Sequence, residues 1–148
     1  MERILVGVDG SAPSLEAVDL AADLAGKYNA ELILLTVTSH LPPQPDPAVE
    51  EYARLEHIPA AETELAFTTA NYALDDARGR ARAKGATQIS IESLSGDPAQ
   101  EIVAAAKDRK ADLIVVGSRG HGRLAGLLLG SVAQKVISLA HCPVVVVR

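Results

Sequence analysis

Five short runs rich in valine, isoleucine and leucine recur along the chain, at Arg3 to Asp9, Glu31 to Thr38, Gln88 to Ser95, Asp112 to Gly117 and Pro143 to Val147, with helical patterns between them. Near-continuous apolar runs of this length belong to strands covered on both faces, so all five are read as buried strands. Uninterrupted alternation of strand and helix requires crossover connections, and right-handed crossovers build a parallel sheet with helices on both faces. The expectation is an α/β fold in a single domain over residues 1–148, whose 48% hydrophobic content suffices for a sizeable core.

The helical segments carry their own signals. From about Ser14 to Tyr28, Leu15, Val18, Ala22 and Ala25 form one apolar stripe. The run Leu41-Pro42-Pro43-Gln44-Pro45-Asp46-Pro47 must be extended, and Pro59 opposes a continuous helix, so a loop and a short helix are expected there. A longer helix follows, with Ala66, Ala70, Ala73, Ala77 and Ala81 as a small-residue packing face. Asp97-Pro98-Ala99-Gln100 reads as a helix start: Asp97 caps, Pro98 occupies the first turn, and Gln100 completes a capping box. The last helix, about Ser131 to Ala140, places Val132, Val136 and Leu139 on one face.

Composition removes several function classes. A net charge of -5, one Phe, three Tyr and no Trp argue against a nucleic-acid partner. No apolar stretch approaches the roughly 18 residues of a membrane span, and Met1-Glu2-Arg3 leads directly into a strand rather than a secretory signal, so a cytoplasmic location is expected. The single cysteine, Cys142, excludes an intrachain disulfide; before Pro143 and a valine run it reads as a buried, inert thiol. His40, His57, His121 and His141 lack the spacing of a zinc helix.

The informative segment is Val115-Val116-Gly117-Ser118-Arg119-Gly120-His121-Gly122, closing the fourth strand, with Gly130 directly before Ser131 and the last helix. A helix N-terminus offers unpaired N–H groups and a partial positive charge, which attract phosphate. Gly117 and Gly120 would accept positive φ or close contact with a sugar or phosphate, while Gly130 and Ser131 would present N–H groups and a hydroxyl. Arg119, His121 and Arg123 make the loop basic, either to screen phosphate charge or as solvated loop residues. At the end of the first strand, Val8-Asp9-Gly10-Ser11 precedes another helix, and in a doubly wound sheet the strand order reverses between the first and fourth strands, where ligands bind. Asp9 is then either a carboxylate facing ribose hydroxyls or a base amino group, or an Asx-turn residue.

Gly117-x-x-Gly120, nine residues, then Gly130-Ser131, with the opening Ile4-Leu5-Val6-Gly7-Val8-Asp9-Gly10-Ser11 and the ending His141-Cys142-Pro143-Val144-Val145-Val146-Val147, resembles the ATP-binding universal stress proteins over almost the whole chain apart from about Ser39 to Leu65. The resemblance implies a Rossmann-like, adenine nucleotide alpha hydrolase-like sheet of order 3-2-1-4-5. It implies adenine near Val8, Asp9 and Val37, ribose flanked by Val116 and Gly117, and phosphates held by Gly120, Gly130, Ser131 and Val132 with a bridging Mg²⁺. It further implies a homodimer through Val144 to Val147, and a stress-response switch or sensor with little or no hydrolysis. A weak ATPase and a cyclic AMP-binding protein of the same fold are the alternatives.

Other nucleotide chemistries fit less well. Gly120-His121-Gly122-Arg123-Leu124-Ala125 matches a dinucleotide fingerprint in form, but it does not follow the first strand. Gly130-Ser131 lacks the lysine of a P-loop, and Ser11, Ser118 and Ser131 sit outside any G-x-S-x-G elbow.

Overall fold

The computed structural model describes residues 1–39, 61–120 and 129–148, the side chains of 61–69 excepted. In chain order the elements are β1 (Arg3–Gly7), α1 (Ala12–Tyr28), β2 (Glu31–Thr38), α2 (Ala61–Ala83), β3 (Gln88–Ser95), α3 (Pro98–Asp108), β4 (Leu113–Gly117), α4 (Ser131–Leu139) and β5 (Val144–Val147). The strands form one all-parallel sheet in the order β3-β2-β1-β4-β5. The Pro-rich residues 41–47 expected to be extended, the short helix expected near Pro59, and Ala66, His40, His57, His121, Gly122 and Arg123 lie outside the described residues or side chains.

Alternation along each strand divides the apolar residues between two cores. Ile4, Val6, Leu32, Leu34, Leu113 and Val115 face α1 and α2, where Ala17, Val18, Ala21, Ala22, Leu74, Ala77 and Ala81 meet them. On the opposite face Leu5, Ile33, Leu35, Ile114 and Val116 pack against Ala99, Ile102 and Val103 of α3 and Ala133 and Val136 of α4. Each fully buried Leu, Ile or Val contributes about 1.5–3 kcal/mol relative to exposure, so the central strands dominate the stability. Alanines on α1 and α2 let both helices approach the sheet, and a bidentate Arg80–Asp19 pair (Nε–Oδ1 3.2 Å, N–O 2.6 Å) joins them.

The expectation of five buried strands holds for β1, β2 and β4 but not for the edges. In β3, Gln-Ile-Ser-Ile-Glu-Ser-Leu-Ser alternates, and Gln88, Ile91, Ser93 and Ser95 are exposed. The β5 valines are all half-buried. An edge position explains both, since each edge strand has one neighbour rather than two. Helix faces are also rotated from expectation. On α4 the buried pair is Ala133 and Val136, leaving Val132 and Leu139 exposed, and on α1 Leu15 is only half-buried while Ala17, Val18, Ala21, Ala22 and Ala25 form the core stripe. Ala73 is half-buried on α2, where Leu74 supplies the bulk that the alanine face lacks.

Helix ends are closed locally. Ser11 caps α1, its hydroxyl accepting from Ser14 N, so the helix begins at Ala12, before the expected Ser14. Asp97 caps α3 by accepting from Gln100 N at 3.0 Å. Past its far end Lys110 sits in the left-handed region at φ 53, where the N–H groups of Lys110 and Ala111 return to Lys107 and Ala106 carbonyls. No helix among the described residues is long and apolar enough to cross a membrane.

Candidate functional site

The site lies at the carboxyl ends of β2, β1 and β4, where the chain leaves the sheet in opposite directions. Val8 N donates to Leu35 O at 2.8 Å, and β1 then turns away into α1 while β2 runs on to Thr38. In a parallel strand, alternate residues direct their N–H and C=O groups to the same side. Leu35 faces β1, so Val37 presents its backbone to the space that β1 has left. Together these strand ends, the loop after β4 and the start of α4 enclose a crevice of about 500 Å³.

All nine sequence-assigned residues line this crevice: Val8, Asp9, Val37, Val116, Gly117, Gly120, Gly130, Ser131 and Val132. They serve different structural purposes. Gly117 does not have positive φ; a Cβ there would stand 2.8 Å from Ser14 N and 2.9 Å from the Pro13 carbonyl carbon, so the first turn of α1 requires it. Gly120 likewise lacks positive φ, and its Cβ would meet Asp9 Oδ2 at 2.7 Å. Among the described residues that follow β1 and β4, the left-handed glycine is Gly10, at φ 80.

Asp9 forms the Asx turn. Its Oδ1 accepts from Ser11 N at 2.8 Å and from the Ser11 hydroxyl at 2.5 Å, and its own N–H donates to Ser14 Oγ at 3.1 Å. Oδ2 lies on the Gly120 side, bordering the crevice, so the turn role and a ligand-facing edge coexist in one carboxylate. The Ser11 hydroxyl also lies 3.4 Å from Arg119 O, joining the two loops.

Of the helix starts around the crevice, those of α1 and α3 are occupied by Ser11 and Asp97. The α4 start differs. Its cap is Gly130 (φ -72, ψ 166), with no side-chain hydrogen bond and no acidic residue in the first turn. Gly130 O accepts the first helical bond from Gln134 N at 3.1 Å, so the N–H groups of Ser131, Val132 and Ala133 lack intrahelical acceptors. They stand on the crevice lining beside exposed Arg119, at the positive end of the helix dipole. The expectation that Gly130 offers its own N–H to a ligand is corrected: that group donates to Ser118 O at 2.6 Å, closing the loop beneath α4.

Sequence reading missed the wall opposite. Pro98 and Ile102 of α3, with Leu35, give the crevice an apolar side. The signal was the helix start at Asp97-Pro98 directly after β3, since any helix that follows a parallel strand begins at the sheet's carboxyl edge. No group of three His, Cys, Asp or Glu among the described residues is arranged to hold a metal ion. Cys142 is half-buried; burial, then the negative charge of Asp112, raises its pKa and keeps the thiol protonated.

Comparison with known proteins places this geometry among related chains. The model of the universal stress protein family matches residues 1–148. Universal stress protein MJ0531 of Methanocaldococcus jannaschii is 38% identical over 147 residues, covering 99% of this chain and 82% of the relative. A universal stress protein crystallised in complex with cAMP is 35% identical with a TM-score of 0.69, covering 99% of this chain and 96% of that one. The universal stress protein UspA from Lactobacillus plantarum is 28% identical with a TM-score of 0.80, covering 99% and 97%.

Proposed function

The chain belongs to the universal stress protein family, and from that premise we propose that it binds ATP in the crevice and acts as a nucleotide-dependent stress-response switch or sensor with little or no hydrolysis. The observation that carries this reading is the α4 N-terminus, which lacks a side-chain cap and faces the same crevice as an apolar wall. One end suits phosphates, through the first-turn N–H groups, the Ser131 hydroxyl and Arg119. The other suits a purine: Leu35, Pro98 and Ile102 supply apolar surface, and the Val37 N–H and C=O match an acceptor and donor on the base edge.

Mg²⁺ would reach the site with the phosphates, as this ion usually does, and would neutralise their charge. Among the described residues the Ser131 hydroxyl is an oxygen that the α4 start offers at that end. Among the described lining residues Asp9 is the sole carboxylate, and its place beside Gly120 and the α1 start keeps it from serving as a general base at the phosphate end. A switch therefore fits better than an ATPase. The solved relative with cAMP supports a second reading, in which the cyclic nucleotide is the preferred ligand.

Thermal unfolding of nucleotide-stripped protein with ATP and Mg²⁺, cAMP, AMP or NADH tests both. Ligand at 100 times its dissociation constant adds about 2.7 kcal/mol. The largest shift is expected with ATP, abolished by Gly130→Val, with phosphate release at background. A larger shift with cAMP moves the assignment to the second reading, and no shift with any adenine nucleotide overturns it.

We also propose a homodimer through β5. Pro143 O accepts from Ile114 N of β4 at 3.0 Å, and Val147 O from Ser118 N just past β4 at 2.6 Å. The alternation then turns Val144 and Val146 backbone groups toward the outer edge, suited to a second copy.

A further inference from the structure

Lys135 lies one helical turn beyond Ser131 on α4, and helical side chains lean toward the N-terminus, so its ammonium is carried back toward the start of the helix. There Nζ is 3.0 Å from Asp97 Oδ2, the same oxygen that caps α3 by accepting from Gln100 N at 3.0 Å. Asp97 immediately precedes Pro98 of the crevice wall. The ion pair thus joins the starts of α3 and α4, the two helices that supply Pro98 and Ser131 to the crevice lining. Both side chains are about two-fifths exposed (44% and 43%), leaving the ammonium hydrated and able to exchange partners.

We propose that Lys135 reads the distal phosphates of a bound nucleoside triphosphate, and that Asp97 competes with the ligand for it. This rests on the reading of the crevice as an ATP site. An ammonium on a flexible four-carbon stem makes a movable point charge with three donors. A triphosphate at the α4 N-terminus brings more negative charge than one carboxylate and draws Lys135 from Asp97. AMP, with its single phosphate held by the first-turn N–H groups, leaves the pair closed. The P-loop lysine that the glycine motif lacks is supplied here from inside the helix, with a built-in competitor that grades affinity by phosphate number.

The two partners then have opposite effects on binding, which a bridge serving only to brace the helices would not produce. Dissociation constants for ATP with Mg²⁺ and for AMP are measured by calorimetry on nucleotide-free wild type, Lys135→Gln and Asp97→Asn, with unfolding of each apo protein as the folding control. Lys135→Gln is expected to weaken ATP about fivefold, the size of one partly exposed charge contact, and to leave AMP within about twofold. Asp97→Asn keeps a capping side chain but removes the competing charge, and is expected to tighten ATP by roughly two- to fivefold. Movement of ATP affinity in the same direction in both variants, or no movement in either, overturns the proposal. Absence of ATP binding in wild type would instead overturn the underlying assignment. Should Asp97→Asn lower apo stability by more than a few degrees, Lys135→Arg distinguishes the cases: charge retained should restore ATP binding to near the wild-type value.

Discussion

Replacing Gly117 by alanine should damage folding rather than the crevice alone, although this glycine opens the Gly117-x-x-Gly120 motif. The added methyl would stand 2.8 Å from Ser14 N and 2.9 Å from the Pro13 carbonyl carbon, against about 3.4 Å for ordinary contact. Both obstacles are backbone in the first turn of α1, so no rotamer change relieves them. The helix start must retreat, straining the core beneath it, and overpacking of this kind costs about 1–3 kcal/mol. For a chain of this length that corresponds to roughly 3–10 °C in Tm. Gly79→Ala is the matched control. It lies in α2 with nothing within 4 Å of the new methyl, and should stabilise by about 0.5–1 kcal/mol through helix propensity. Calorimetric unfolding of the nucleotide-free proteins decides the matter. A Gly117→Ala variant within 1 °C of wild type, using calorimetry with precision of about that size, would refute the close approach as the reason for glycine there.

Lys110→Gly relieves a left-handed backbone at φ 53 and should add about 1 kcal/mol, read as a higher urea midpoint with unchanged m value. Val146→Pro removes an N–H on the outer edge of β5 without touching the β4 ladder, so light scattering should find dimer lost while monomer folding persists. The N–H groups of Glu2 and then Arg3 hold the Asp112 carboxyl below its ordinary value of 3.8. The stability that they contribute is present above that value and is lost as pH falls through the lower native one, so Asp112→Asn should flatten the acid limb of a stability-versus-pH curve below about pH 4.

Much of the fold was legible because its pattern is local and repeated. Strand runs alternating with capped helices define a parallel sheet, and Asp97-Pro98 marked a helix start that the structure keeps. Burial was harder to read. The edge strands β3 and β5 contain enough isoleucine, leucine and valine to pass for core, yet whether a strand has one neighbour or two depends on topology rather than composition. Asp9, Gly117, Gly120, Gly130 and Ser131 were legible from the strand ends and the helix start, and Val8, Val37, Val116 and Val132 through the family resemblance, but the separate physical roles of the glycines were not. Glycine looks the same in sequence whether it yields to a helix, as Gly117 does, to a carboxylate, as Gly120 does, or starts a helix, as Gly130 does. Pro98 and Ile102 went unnoticed because the crossover that brings α3 beside β1 joins residues about ninety positions apart.

The backbone bonds around Ser118 also make the end of β5 a measuring point. Val147 O receives Ser118 N, and Ser118 O receives Gly130 N, both at 2.6 Å. Two short bonds therefore separate the last strand from the peptide on which α4 begins. An environment-sensitive dye attached at Arg148 would sit one residue from this relay, outside the crevice and unable to compete for ligand. The fold offers a place for an optical sensor of occupancy in which the reporter and the binding surface are connected by main chain alone.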